Sequence, residues 1–230
     1  MYSVVIPTML MADTVYKTIV TLSMVDSVGE VILIDNSGGE GRFGVDKLVH
    51  VTEGRNTFVN PAWNKGVSMA RHDKVCLLND DVQFDWSFLG TLEGLLGPDV
   101  GFVGMHPENM TGQRSQTFFK DGFTLVRPEP DGKTRAGHRP EHWGTCICFD
   151  RSIWDPIPGD MLIWGGDDWL FYRSKRPNYC VHGLNVWGDK SATISSLDVS
   201  GILRSDMLSM AEHVRRGEVE NYLLGTIWWP

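Results

Sequence analysis

The sequence predicts an α/β domain in which a mostly parallel sheet is wound with helices, with a smaller mixed region after it. Three observations predict this. Strand-like and helix-like stretches alternate through the first hundred residues. The strand-like runs are apolar at consecutive positions, as strands buried on both faces must be. Three of them stop abruptly at Thr, Asp or Asn. Ligands of such sheets bind beyond the carboxyl ends of the strands, so these polar stops mark the candidate site.

Tyr2 to Pro7 is the first strand, closed by Pro7-Thr8. Met11 to Val25 places Val15, Ile19 and Leu22 at helical spacing, with Asp13 as its candidate cap. Glu30 to Ile34 is a second strand, ending in Asp35-Asn36-Ser37, and Leu48 to Val51 a third. Asn60 as cap and Pro61 at the first helical position start a helix through Ala70. The fourth strand, from Lys74, turns from apolar to acidic at Asn79-Asp80-Asp81. Beyond it, Trp86 to Leu96 reads as an amphipathic helix and Val100 to Met105 as a strand. His106 to Trp143 has little periodicity and reads as a functional loop. Thr145 to Phe149 resumes strand character, Ile163 to Arg173 passes from a Gly-rich turn into a helix, and Cys180 to Gly183 is another strand end. Ile202, Met207, Met210 and Val214, then Tyr222-Leu223-Leu224, predict one or two outer helices.

At 230 residues, 42% hydrophobic and 22% charged, the chain has an ordinary globular composition with a net charge of -8. That charge opposes non-specific attraction to nucleic acid or anionic membrane. No apolar run approaches the ~18 residues that span a bilayer, and the N-terminus has no basic leader, so a cytoplasmic protein is expected. Cys76, Cys146, Cys148 and Cys180 sit in strand-like runs and are expected to be reduced core thiols. His138 and His142 are four apart, but Pro140 between them breaks the helix that would align them.

Adjacent carboxylates raise each other's cost of ionisation unless a cation lies between them. Oxygen-only ligands favour Mg2+ or Mn2+, which keep positions open for water and phosphates. Asn79-Asp80-Asp81 therefore reads as a metal-binding strand end. A nucleotidyltransferase would need a Gly-rich basic loop after the first strand, yet Thr8 to Asp13 has neither Gly nor Arg. A dinucleotide-binding dehydrogenase fails for want of GxGxxG.

Ile6-Pro7-Thr8, Ile34-Asp35-Asn36-Ser37, Asn64-Lys65-Gly66, Leu78-Asn79-Asp80-Asp81 and Gly165-Gly166-Asp167-Asp168, in that order, resemble the GT-A glycosyltransferases, family 2 most closely. The resemblance implies a GT-A-type nucleotide-binding sheet and a hexosyltransferase-like enzyme. That enzyme would use a nucleotide-sugar donor, a UDP-sugar, with inversion and with Mn2+ or Mg2+ as cofactor. It implies that Asp81 ligates the cation, with His182 as a further ligand and Ser191 beyond it. Pro7, Thr8, Asp35, Asn64, Lys65, Asn79 and Asp80 would then bind the donor. Trp164-Gly165-Gly166-Asp167-Asp168 resembles the acidic motif supplying the catalytic base: Asp168 is that base, while Asp167 and Trp164 bind the acceptor. Trp169 and Trp187 are candidates for stacking on sugar or for the core. The implied organisation is a catalytic domain over residues 1–200, with donor half 1–105 and acceptor half 106–200, and a helical extension over 201–230. The acceptor is expected to be a saccharide-containing molecule. A phage-type alternative is hydroxymethylated DNA, with Arg114, Lys120, Arg127, Lys133, Arg135 and Arg139 as phosphate contacts. A further alternative is a non-catalytic nucleotide- or saccharide-binding relative.

Overall fold

Runs that are apolar at consecutive positions can be satisfied only if both faces of the strand are covered, and the fold does so. The computed structural model describes residues 1–12, 14–39, 43–97, 99–110, 119–128, 139–188 and 199–219. Asp13, Arg114, Lys133, Arg135, His138, Ser191 and the Tyr222-Leu223-Leu224 run lie outside the described residues, as does the Lys120 side chain. Strands β1 (Tyr2–Thr8), β2 (Val28–Asp35), β3 (Leu48–Thr52) and β4 (Lys74–Leu78) pair in parallel in the order β3-β2-β1-β4. A two-residue strand β5 (Val82–Gln83) follows β4 at once. The sheet continues through β6 (Val103–Met105), β7 (Phe119–Val126), β8 (Cys146–Asp150) and β9 (Tyr179–Leu184), giving the full order β3-β2-β1-β4-β8-β6-β9-β7. β8 runs antiparallel to both β4 and β6, so β6 and β9 again point the same way as β4. β10 (Trp187–Gly188) pairs with β5.

Successive strand residues go to opposite faces and build two cores. Tyr2, Val4, Ile6, Val31, Leu33, Cys76 and Leu78 pack on one face with α1 (Thr14–Ser23) and α3 (Phe88–Glu93). Val5, Ile32, Ile34, Val75, Leu77, Ile147 and Phe149 pack on the other. That second face is covered by α2 (Val59–Met69), α4 (Gly166–Arg173) and α5 (Ser200–Arg215). All four cysteines are free and buried, as their strand positions predict. No helix among the described residues is long and apolar enough to cross a membrane.

The structure departs from the sequence reading in four places. Phe119–Val126 forms a strand inside the stretch read as loop, because it pairs with β9 despite its polar residues. The helix expected over Trp86 to Leu96 is only Phe88–Glu93. The strand expected from Val100 begins at Val103. Asn60 does not cap α2: Phe58 stands at the cap, and the Asn60 side chain inside the helix bonds elsewhere.

Gly66 sets the distance between α2 and the sheet. A β-carbon there would lie 2.2 Å from Cγ1 of the fully buried Val5. Gly66→Ala should therefore destabilise the fold by about 1–3 kcal/mol, the usual cost of overpacking a filled core. Urea denaturation checks this; unchanged stability would mean that α2 tolerates displacement from β1.

Candidate functional site

Parallel pairing carries the ends of β1, β2 and β4 to one edge. Thr8 is register partner to Asp35, and the Thr8 hydroxyl donates to Asp80 Oδ2 at 2.5 Å. The Thr14 hydroxyl donates to the Asp80 carbonyl at 2.9 Å, tying the start of α1 to the same point. Asp35 is fully buried and receives the Ser37 amide (2.8 Å) and hydroxyl (2.6 Å) on Oδ1, with His50 Nε2 3.0 Å from Oδ2. Pro7, Thr8, Asp35, Asn79 and Asp80 thus gather at the carboxyl edge, with Asp81 next in the chain. Burial, followed by the charge of Asp81, pushes the Asp80 carboxyl up to about 6, against the pull of the Thr8 hydrogen bond. A carboxylate this costly to ionise, with a second beside it in the chain, fits a hard cation.

Two expected donor residues are engaged elsewhere. The Asn64 amide makes both of its bonds to Ile157, donating to its carbonyl at 2.8 Å and accepting from its N–H at 3.0 Å. That is a bridge between α2 and the approach to α4. Lys65 is half exposed, with Nζ 3.4 Å from Glu53.

The second acidic motif starts α4. Gly165 takes a left-handed conformation at φ 78°, which glycine adopts without penalty, and Asp167 and Asp168 occupy the first helical turn. The helix N-terminus favours their charge. Arg139 lies between them: Nε donates to Asp168 Oδ1 at 2.7 Å, and Nη1 is 3.0 Å from Asp167 Oδ2. Burial opposes the guanidinium's charge, but the two carboxylates hold it more firmly protonated than usual. Burial also pushes the Asp167 carboxyl up, with Arg139 pulling the other way. Asp168 Oδ2 is at a long 3.5 Å from Nη2, and the Asp168 side chain is 26% exposed.

The two acidic motifs meet through residues 144 and 145. A β-carbon at Gly144 would fall 2.3 Å from Asp167 Oδ2, so Asp167 rests directly on that glycine backbone. The next residue, Thr145, accepts the Asn79 N–H on its carbonyl at 3.2 Å. A short path of packed backbone therefore connects Asn79-Asp80-Asp81 to Asp167-Asp168.

Sequence reasoning missed the supports of this arrangement. Asp206, on α5 and 1% exposed, accepts the N–H groups of Leu162 (2.9 Å), Ile163 (2.8 Å) and Trp164 (2.9 Å). Asn60 donates from α2 to the carbonyls of Met161 and Trp164 at 3.2 and 3.3 Å. The segment leading into Gly165 is clamped from both sides, which fixes the backbone of Trp164. Trp169 belongs to the core, packed against His213 and beneath Arg173. The partners of Asp206 and Arg139 are dozens of residues away, so no local pattern announces them.

His182 lies with Glu108, whose Oε2 is 3.0 Å from its Nε2, and with His106. Of the six basic residues considered for DNA phosphates, Arg139 is neutralised by two carboxylates and Arg127 lies over the Tyr179 ring at 5.3 Å.

No protein-family model and no curated protein sequence matches the chain. Solved structures do. S. aureus TarS 1-349 in complex with UDP-GlcNAc superposes with a TM-score of 0.57 at 12% identity, over 93% of this chain and 66% of that one. The chain has a glycosyltransferase fold. Mannosyltransferase PcManGT from Pyrobaculum calidifontis, in complex with GDP-Man and Mn2+, has the same fold with a TM-score of 0.50 at 16% identity. The match covers 77% of this chain and about half of that enzyme, 53%. Within this glycosyltransferase fold the strand ends carrying Thr8, Asp35 and Asp80 lie together at one edge.

Two outcomes follow for the clamp. Asp206→Asn keeps the shape and removes the charge that three amides share, so stability should fall by at least about 2 kcal/mol in urea unfolding, given ~1.5–3 kcal/mol per bond to a charged group. His213 lies between Glu218 (2.5 Å) and Asp160 (3.2 Å); burial opposes its charge, but these partners outweigh it and raise its pKa above 6.5. A raised folded pKa makes this contribution complete below about pH 6.5 and lost as pH rises through the folded value. The melting temperature should therefore drop as the pH rises above that range, and His213→Gln should flatten that drop in a thermal melt series.

Proposed function

We propose that the chain is an inverting glycosyltransferase moving a sugar from a nucleotide-diphosphate donor, a UDP-sugar, to a saccharide hydroxyl. The observation that carries this reading is the short backbone connection between two acidic motifs of opposite task. Asp35 binds the base or ribose, Thr8 and Asp80 shape the ribose-side pocket, and Asp168 faces the acceptor. Asp81 would hold Mn2+ or Mg2+ with Asp80 beside it, and the bound cation would offset the charge that builds on the leaving diphosphate. Oxygen-only donors and the suppressed ionisation of Asp80 support such a cation. The UDP-GlcNAc and GDP-Man/Mn2+ complexes of the proteins sharing the fold point the same way.

In the reaction the acceptor oxygen attacks the anomeric carbon from the face opposite the diphosphate. Its proton passes to Asp168 Oδ2 as the bond from the anomeric carbon to the diphosphate oxygen breaks. Arg139, bonded to Oδ1, keeps Asp168 aimed in the ligand-free protein. Asp167, turned to the other side of Arg139, and Trp164 then orient the acceptor.

Asp168→Asn should lower kcat by roughly 10²–10⁴-fold, the span of general base catalysis, while UDP affinity by calorimetry stays near wild type. Asp81→Ala and EDTA should each abolish UDP release. A near-normal rate for Asp168→Asn with a lower melting temperature would reduce the acid pair to helix caps. Retention of the donor's anomeric configuration, seen by NMR of the product, would end the assignment.

A further inference from the structure

The carboxyl edge of the sheet carries a second cluster of ligating groups, on β6 and β9. These strands run parallel with Met105 opposite Val181, so the next residues, His106 and His182, come side by side with ring centroids 4.5 Å apart. A single 3₁₀ turn, Pro107–Asn109, then folds Glu108 back over them, placing its Oε2 3.0 Å from His182 Nε2. The ligand atoms of all three lie within 4.8 Å of one another.

The support is built in. Asn109, 1% exposed, donates to the Val181 carbonyl at 2.7 Å and accepts the Gly183 N–H at 3.1 Å, bracketing His182 on both sides. His106 is anchored through its own N–H to the Val181 carbonyl at 3.1 Å. His106 Nδ1 accepts the Glu108 N–H at a long 3.2 Å, so that nitrogen already carries a lone pair in place of a proton. His182 Nε2 and Glu108 Oε2 face each other at 3.0 Å, where a cation can take the place of their hydrogen bond.

We propose that His106, Glu108 and His182 form a binding site for a borderline divalent cation of the Zn2+ class, separate from the cation at Asp81. Two imidazoles and one carboxylate suit Zn2+, Co2+ or Ni2+, whereas the all-oxygen Asp80-Asp81 end suits Mg2+ or Mn2+. Metal–ligand distances of about 2.0–2.2 Å put ligand atoms roughly 3.4 Å apart in a tetrahedron, within reach of small rotations from the present arrangement. Three protein ligands leave one position for water or a small ligand, and the half-exposed His182 and exposed Glu108 give it access to solvent. β9 lies three strands from β4, about 14 Å at the usual ~4.8 Å spacing, too far for one ion to serve both ends directly.

The test is calorimetric titration of the metal-stripped, untagged full chain with Zn2+, alongside the visible absorption of Co2+. The expected result is one tight site whose affinity falls at least about tenfold in each of His106→Gln, Glu108→Gln and His182→Gln, and persists in Asp81→Ala. Circular dichroism confirms that each variant is folded, and Glu108 and His182 are exposed enough to be replaced without loss of core. The proposal is overturned if wild type binds Zn2+ no tighter than the triple variant, or if Asp81→Ala loses the site while His182→Gln keeps it. Donor binding with Mn2+, measured on the same variants, reports separately on the glycosyltransferase reading.

Discussion

A strand covered on both faces has nowhere to put a polar side chain except its ends, and this constraint organises the molecule. From Val4, Val31 and Val75 onward β1, β2 and β4 alternate between two apolar cores, and their polar groups collect beyond the last apolar residue. Because the three run in parallel, those ends share one edge. The interior exceptions obey the same rule by being fully paired: Ser3 donates to Glu30 at 2.6 Å, and Glu30 takes the Arg71 amide and side chain, each at 2.7 Å. Glu30 is held ionised by these bonds in spite of its burial. Polar chemistry in this sheet is therefore either neutralised in place or exported to the carboxyl edge.

What was legible in the sequence follows from the same constraint. Consecutive apolar residues disclosed β1, β2, β4 and β8, and the abrupt change at Thr8, Asp35 and Asn79 disclosed the edge. β7 escaped because Phe119–Val126 mixes charge and glycine; its strand character comes from pairing with β9, which no local pattern reports. Asn60 looked like a cap because Pro61 follows it, yet its amide serves a segment a hundred residues later. Asn64 and Lys65 have partners within the protein that their spacing does not announce: one bonds to Ile157 and the other pairs with Glu53 at the surface.

The acidic pair at α4 illustrates how two neighbouring carboxylates are held in a partly buried place. A helix N-terminus and one guanidinium share the task, and Gly144 provides the room: any side chain there would collide with Asp167. Such a pair loses heavily if one partner is removed alone, since the remaining charge is left partly buried. Arg139 is thus tied to both carboxylates electrostatically as well as geometrically, even though the sequence placed it among loop cations.

The clamp on the segment before Gly165 has a consequence for biosynthesis. Its two holders, Asn60 and Asp206, are separated by most of the chain, and Asp206 is among the last described residues to be made. The N-terminal part of a chain is made first, and domains fold as units. The edge formed by β1, β2 and β4 has all its strands made long before α5 exists. The backbone that positions the acid pair can therefore close only once α5 has been made.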